Sequence, residues 1–267
     1  MINFDNYKIH CSAYGKLLTE PKAKADKDAG LLSTTTKTYL REIFLEKKYG
    51  RRKEITTKQM VKGVENEEIG ITVYSRWAKK LYYKNEVRLK NEYLTGEPDC
   101  SDNKDIMKTK KGVDIKLSWS IFTFPFPDDK LDKGYECQNQ GYMNLTGADE
   151  WSTAFILVNA PGHLILDEKK RLQYKMNCSL DEPEYIEKCI EIEKNYIFNI
   201  KEFKNEEPGF DMDCKEWTIK NPIWDIPLNE RVIEFNSYRD DEFINNIPQT
   251  VGKARKYMNQ LASGIFI

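Results

Sequence analysis

From Val113 to Ser120 apolar residues alternate with polar ones without a break: Val113, Ile115, Leu117 and Trp119 interleave with Asp114, Lys116, Ser118 and Ser120. Period-two spacing predicts a strand that turns the apolar set to a core and sets Asp114 and Lys116 side by side on the other face. Elsewhere a spacing of three to four dominates. Tyr39, Leu40, Ile43 and Phe44 predict a helix from about Thr38, with the hydroxyl cluster Ser33-Thr34-Thr35-Thr36 as its N-cap. Val64, Ile71, Tyr74 and Ala78 predict a second helix over about 57–83, with Glu67 on or beside its apolar face. Further helices are expected at 135–146, 183–205 and 240–261. Strands are expected at 87–100, 113–124 and 230–238, and 151–158 is expected to pair with 163–166 through the turn at 159–162. Helices, a central mixed sheet and more helices predict an α/β fold.

A chain of 267 residues can bury one good core without dividing into independent domains. The expected core runs over about 31–166, with an elaboration over about 179–267. The Pro/Gly-rich stretch near Pro208 is the one candidate seam. No apolar run reaches the ~20 residues that span a bilayer, and the start lacks a secretion signal, so a cytoplasmic location is expected.

Net charge is −1, but the charge is unevenly placed. Between Lys37 and Lys62 stand nine Lys/Arg against three Glu, whereas Ser179 to Asp213 holds eleven Asp/Glu against four Lys. A local basic track that includes Arg51, Arg52 and Lys53 suits contact with nucleic acid. Six cysteines include no C-x-x-C pair, and only two histidines are present. Zinc sites and His-dependent nucleophiles therefore lack their raw material. What remains is carboxylate and lysine chemistry.

D/E-x-K spellings recur in a chain that is 32% charged, for example Glu46-Lys47-Lys48 and Glu168-Lys169-Lys170. Asp114-Ile115-Lys116 differs because it lies on an amphipathic strand. A strand or hairpin partner ending in Gly96-Glu97-Pro98-Asp99 would bring a second carboxylate to the same place. Facing carboxylates repel unless a cation lies between them. Mg²⁺ or Mn²⁺, held by both and by the Ile115 carbonyl, would keep positions open for water and phosphate. Glu67 is expected to point toward this site from its helix. Gln138 and Tyr142, one helical turn apart, share a face and could orient water or phosphate.

In order, Gly63…Glu67, Gly96-x-Pro98-Asp99, Asp114-x-Lys116 and Gln138-x-x-x-Tyr142 resemble the PD-(D/E)XK nuclease superfamily, in its lambda-exonuclease/YqaJ and RecB-like branch. The resemblance covers roughly residues 31–158 and extends loosely to the C-terminus. It implies a single nuclease domain over 1–267 with a restriction-endonuclease-like core, a central mixed β-sheet flanked by helices. It implies Asp99, Asp114 and Glu67 as metal ligands, Lys116 as the catalytic lysine, and Gln138 with Tyr142 as supporting residues. Activity would be that of a Mg²⁺-dependent deoxyribonuclease, most simply an exonuclease on linear DNA. A viral setting in recombination or DNA processing follows, with host cytoplasm as its location. DNA, a single-strand annealing protein and further copies of the chain are the partners it suggests. Asp114 stands where this branch more often has Glu, and the loose cysteine spacing leaves no iron–sulfur cluster expected. Ser33, Thr34 and Thr36 fall where such enzymes grip a terminal phosphate, a role open to a helix N-terminus. A non-catalytic nucleic-acid-binding protein and a structure-specific endonuclease are the competing readings.

Overall fold

The computed structural model describes residues 2–203 and 225–264; the expected seam near Pro208 lies outside them. In chain order the elements are β1 (Ile9–His10), α1 (Cys11–Tyr14), α2 (Lys24–Asp28), α3 (Thr34–Tyr49), α4 (Lys58–Glu65), α5 (Glu67–Trp77), β2 (Tyr83–Lys84), β3 (Leu89–Lys90) and β4 (Leu94–Gly96). There follow β5 (Cys100–Ser101), β6 (Lys111–Leu117), α6 (Lys133–Thr146), β7 (Glu150–Ile156), α7 (Gly162–Met176), α8 (Pro183–Tyr196), β8 (Val232–Tyr238), α9 (Asp241–Asn245) and α10 (Ile247–Ala262).

The main sheet has the order β2-β5-β6-β7-β8. β6 and β7 run parallel from Lys111↔Glu150 to Leu117↔Ile156, and the outer pairs are antiparallel. Parallel neighbours need a crossover, and α6 supplies it. Both faces of β6 are covered. On one, Ile71 and Tyr74 of α5 pack with Val113, Ile115, Ala154 and Ile156. Gly70 permits that approach: a Cβ there would lie 2.8 Å from Leu117 Cδ2 and 3.0 Å from Ile115 Cγ2. On the other face α6 packs with α1, α3 and α10 through Cys11, Leu40, Tyr142, Met143, Trp151 and Met258. The alternation from Val113 thus sorts two buried faces, and Asp114 is as hidden as Val113.

Several expected boundaries change. The helix at 57–83 is two helices broken at Asn66, and the chain is already extended at Tyr83. The strand at 87–100 is three short strands, of which β3 and β4 join β1 in a separate sheet ordered β1-β4-β3, and only β5 enters the main one. Residues 163–166 belong to α7, and β7 is flanked by β6 and β8 instead. α8 stops at Tyr196, and the C-terminal helix is interrupted at Asn246 before Pro248. The core also begins earlier than residue 31. Phe4, Ile9, Cys11, Tyr14 and Leu17 are buried in the same cluster as α10. Among the described residues no helix is long and apolar enough to cross a membrane.

Candidate active site

β5 pairs with β6 only through Cys100↔Val113 and Ser101↔Gly112. The next register position sets Asp99 opposite Asp114, where directly facing side chains approach to ~5 Å at Cβ. The ladder does not continue there through the backbone. Instead Asp99 Oδ2 accepts the Ile115 N–H at 2.6 Å. The bend at Pro98 is held from beneath by Asn85, whose N–H donates to the Asp99 carbonyl and whose Nδ2 donates to the Pro98 carbonyl, each at 2.9 Å.

Asp114 is 1% exposed. Its Oδ1 accepts from Gln138 Nε2 at 3.0 Å. Its Oδ2 is ion-paired with Lys116 Nζ at 2.5 Å. The Lys116 ammonium also sits over the Tyr135 ring, 5.3 Å from its centre. Gln138 spends its second amide proton on Tyr142 Oη at 2.9 Å, and that hydroxyl reaches the Glu97 carbonyl at 3.4 Å. Gln138 and Tyr142 do share a face, and both are buried. Tyr142 therefore braces Gln138 and the Glu97 backbone, where a phosphate contact was expected of it.

The charges explain the titration behaviour. Burial, and then the Asp114 carboxylate, hold the Asp99 carboxyl well above its ordinary pKa; Lys116 and the Ile115 amide pull the other way. For Lys116 burial disfavours the charge, but Asp114 and Asp99 outweigh it and its pKa is raised. Burial, followed by the two aspartates, also raises the Tyr142 hydroxyl and, with Asp99 ahead of Asp114, the Cys100 thiol. One ammonium thus faces two carboxylates, an unbalanced negative field.

Glu67 opens α5 and stays at the rim. Its side chain is 34% exposed and 3.6 Å from Lys84 Nζ, which also takes Glu68 at 3.0 Å. Its charge is nonetheless felt at Asp99 and Cys100. Among the described residues no three His, Cys, Asp or Glu side chains lie close enough to hold a metal together. The donors that do converge are two carboxylates and, on the strand edge where its own amide meets Asp99, the Ile115 carbonyl. All are hard oxygens, a set that fits Mg²⁺ or Mn²⁺ completed by water. Asp99, raised by burial and by the facing Asp114 carboxylate, is the group that a cation between the two would relieve.

Known structures share the fold over its full length. A phage-related exonuclease from Haemophilus somnus 129PT matches at 28% identity with a TM-score of 0.69, covering 98% of this chain and 97% of that one. The alkaline exonuclease LHK-Exo from Laribacter hongkongensis matches at 13% identity and a TM-score of 0.52, over 98% and 96% of the chains. The fold is that of a phage-type exonuclease, consistent with the lambda-exonuclease-like PD-(D/E)XK group. No family model and no curated protein matches it.

In this lambda-exonuclease-like protein the hydroxyl cluster has a different occupation from the one expected. Ser33 caps α3, accepting the Thr36 N–H at 3.0 Å, and Thr36 Oγ1 donates to the Lys16 carbonyl at 2.8 Å. Thr19 Oγ1 closes the knot on Ser33 at 2.6 Å. Ser33 and Thr36 are buried, which removes them from direct contact with a phosphate; Thr34 is exposed. Of the basic run, Lys53 pairs with Glu42 at 3.1 Å and Arg51 stands exposed. Arg52 belongs to a cationic patch. His10 is lowered in pKa by burial first and then by Arg88, Arg52 and Lys47, with Glu46 opposing them; Arg88 itself is paired with Glu97 at 2.7 Å. β1 pairs with β4, three residues before Asp99.

Three supporting features escaped the sequence reading. Asn85 holds the Asp99 bend, as described. Cys11 fits between two glycines, since a Cβ would meet its Sγ at 3.0 Å from Gly96 and 2.9 Å from Gly141. Gly96 opens the Gly96-x-Pro98-Asp99 motif and Gly141 fills the position before Tyr142, and neither spelling shows the thiol that lies against them. Lys62 is fully buried and donates to the Ser118 carbonyl at 2.7 Å; nothing in its sequence neighbourhood distinguished it from the lysines around it.

Proposed function

We propose that this protein is a metal-dependent DNA exonuclease that hydrolyses phosphodiester bonds of linear DNA, in phage-type recombination or DNA processing. The observation that carries the reading is the meeting of Asp99, Asp114 and Lys116 at one edge of β6, with Gln138 fixing Asp114. The full-length likeness to a phage-related exonuclease supports it.

Asp99, Asp114 and the Ile115 carbonyl would hold Mg²⁺ or Mn²⁺. When bound, the ion supplies charge neutralisation at the phosphate and acidifies water. The residues do the rest. Lys116, kept protonated by both aspartates, places an ammonium beside the phosphate and steadies the oxygen charge that builds as water adds and the ester oxygen leaves. Gln138 locks the Asp114 rotamer, and Tyr142 locks Gln138. Glu67 lends charge from the rim while Lys84 neutralises part of it. Arg52 and Lys47 offer a phosphate track on the side of β1, while Arg88 is paired with Glu97 at 2.7 Å.

The deciding experiment incubates the protein with Mg²⁺ and either end-labelled linear DNA or covalently closed circles. Loss of the linear form alone is the expected result. Linearised circles would select an endonuclease, and no cleavage of either would leave a binding protein on this scaffold.

A further inference from the structure

Between Lys116 and Gln138 the chain passes through Ser120-Ile121-Phe122-Thr123-Phe124-Pro125-Phe126-Pro127. Two of these rings face water: Phe122 is 85% exposed and Phe126 is 71% exposed. The loop is nevertheless firmly set. Ser120 and Thr123 form a reciprocal cap, with the Ser120 N–H donating to Thr123 Oγ1 at 3.0 Å. The Phe126 N–H donates to Asp129 Oδ2 at 2.8 Å, the Asp129 N–H returns to the Phe126 carbonyl at 3.1 Å, and prolines follow Phe124 and Phe126. Exposed aromatics held rigidly lose little entropy when a ligand covers them.

The loop's place in the chain says what that ligand is. It leaves β6 just after Lys116 and enters α6 just before Tyr135 and Gln138, so it continues directly from the candidate active site. Its charges do not suit a phosphate backbone, because Asp128, Asp129 and Asp132 outnumber Lys130 and Lys133. Uncharged π-faces fit better. On the nuclease reading above, we propose that Phe122 and Phe126 form a stacking platform for bases of the strand whose phosphodiester occupies the site. Stacking on an aromatic ring tolerates any sequence and is worth on the order of 5- to 150-fold in affinity per base.

The test compares wild type, Phe122→Ala/Phe126→Ala and Phe122→Trp/Phe126→Trp. Binding is measured in an Asp114→Asn background with DNA carrying 2-aminopurine at the terminal and penultimate positions. The alanine pair is expected to raise Kd at least tenfold and abolish the fluorescence quenching that stacking causes, while the tryptophan pair keeps both. With Asp114 intact, the alanine pair should raise KM and leave kcat within threefold. A Kd change under twofold, or unchanged quenching, overturns the proposal. So does a fall in molar mass by light scattering on the alanine substitution, which would assign the rings to a second copy of the chain. If the nuclease reading alone is wrong, wild type cuts nothing, yet the binding and quenching results still decide the platform.

Discussion

Lys62 Nζ donates to the Ser118 carbonyl at 2.7 Å and to that of Trp119 at 3.4 Å, tying α4 to the point where β6 leaves the sheet. The ammonium lies over the Phe198 and Trp119 rings, and no ion pair of Lys62 with a carboxylate occurs among the described residues. Burial alone lowers its pKa from 10.5 to about 7. Between those values the unfolded chain holds a proton that the folded chain has released, so stability rises with pH across that window. The gain from this group is about 1.4 kcal/mol per pH unit and is absent below pH 7. Urea unfolding of wild type and Lys62→Met at pH 6, 7.5 and 9 should show their stability difference moving in favour of wild type as pH rises. Parallel curves would refute it.

Asp114→Asn should abolish cleavage while the protein stays folded and binds DNA as well or better. The amide oxygen can still accept from Gln138, and Lys116 keeps Asp99 as a counter-charge. The repulsion that raises Asp99 disappears. Turnover at the wild-type rate would show that another carboxylate does the work.

Lys116→Ala should reduce kcat by about 10²–10⁴-fold, the range for one positioned electrostatic or proton-transfer group. Lys48→Ala and Lys170→Ala, in look-alike triplets, should stay within twofold. Single-turnover rates for the three variants make the comparison; equal small losses would reduce the motif to coincidence.

Millimolar Mg²⁺ should raise the melting temperature of wild type, because a ligand that binds the folded form alone stabilises it. Ca²⁺ should do the same without supporting cleavage, and excess EDTA should stop the reaction. Asp99→Asn/Asp114→Asn should lose the thermal response. A shift of equal size in that variant would place the ion elsewhere.

Gly141→Ala should cost about 1–3 kcal/mol, the usual penalty of overpacking, since its methyl would meet Cys11 Sγ at 2.9 Å and Cys11 Cβ at 3.1 Å. Cys11→Ala should recover part of that loss in the double variant and little alone. A double-mutant cycle by urea unfolding reads the coupling directly; additive losses would mean that the two side chains do not compete for the space.

The chemistry-bearing elements were legible because their signals are local. Alternation fixed the faces of β6, and i, i+4 spacing put Gln138 and Tyr142 on one side of α6. Partners distant in sequence were not legible. Ser33 and Thr36 looked like free hydroxyls, and only folding delivers Thr19 and the Lys16 carbonyl to them. Glu67 has Lys84 as a neighbour at 3.6 Å, a partner that only folding brings to it. The misread strand at 163–166 was a short apolar run, which fits a strand and a buried helix turn equally well. The stretch 87–100 reads as one strand with a kink at Gly96-x-Pro98, but the turn at Asn91 and the bend at Pro98 divide it into three.

Cys11 belongs to an N-terminal segment held from both the middle and the far end of the chain. It needs Gly96 and Gly141 as its walls, and its neighbours Phe4 and Tyr7 are fastened to Asn259 and Arg255, more than 240 residues downstream. Cys11 finds those walls, and β1 its partner β4, as soon as α6 has been made, whereas the two polar fastenings of Phe4 and Tyr7 wait for α10. The C-terminal helix thus acts as a clasp on the first residues of the chain, and loosening it would reach the back wall of the site only through that N-terminal segment.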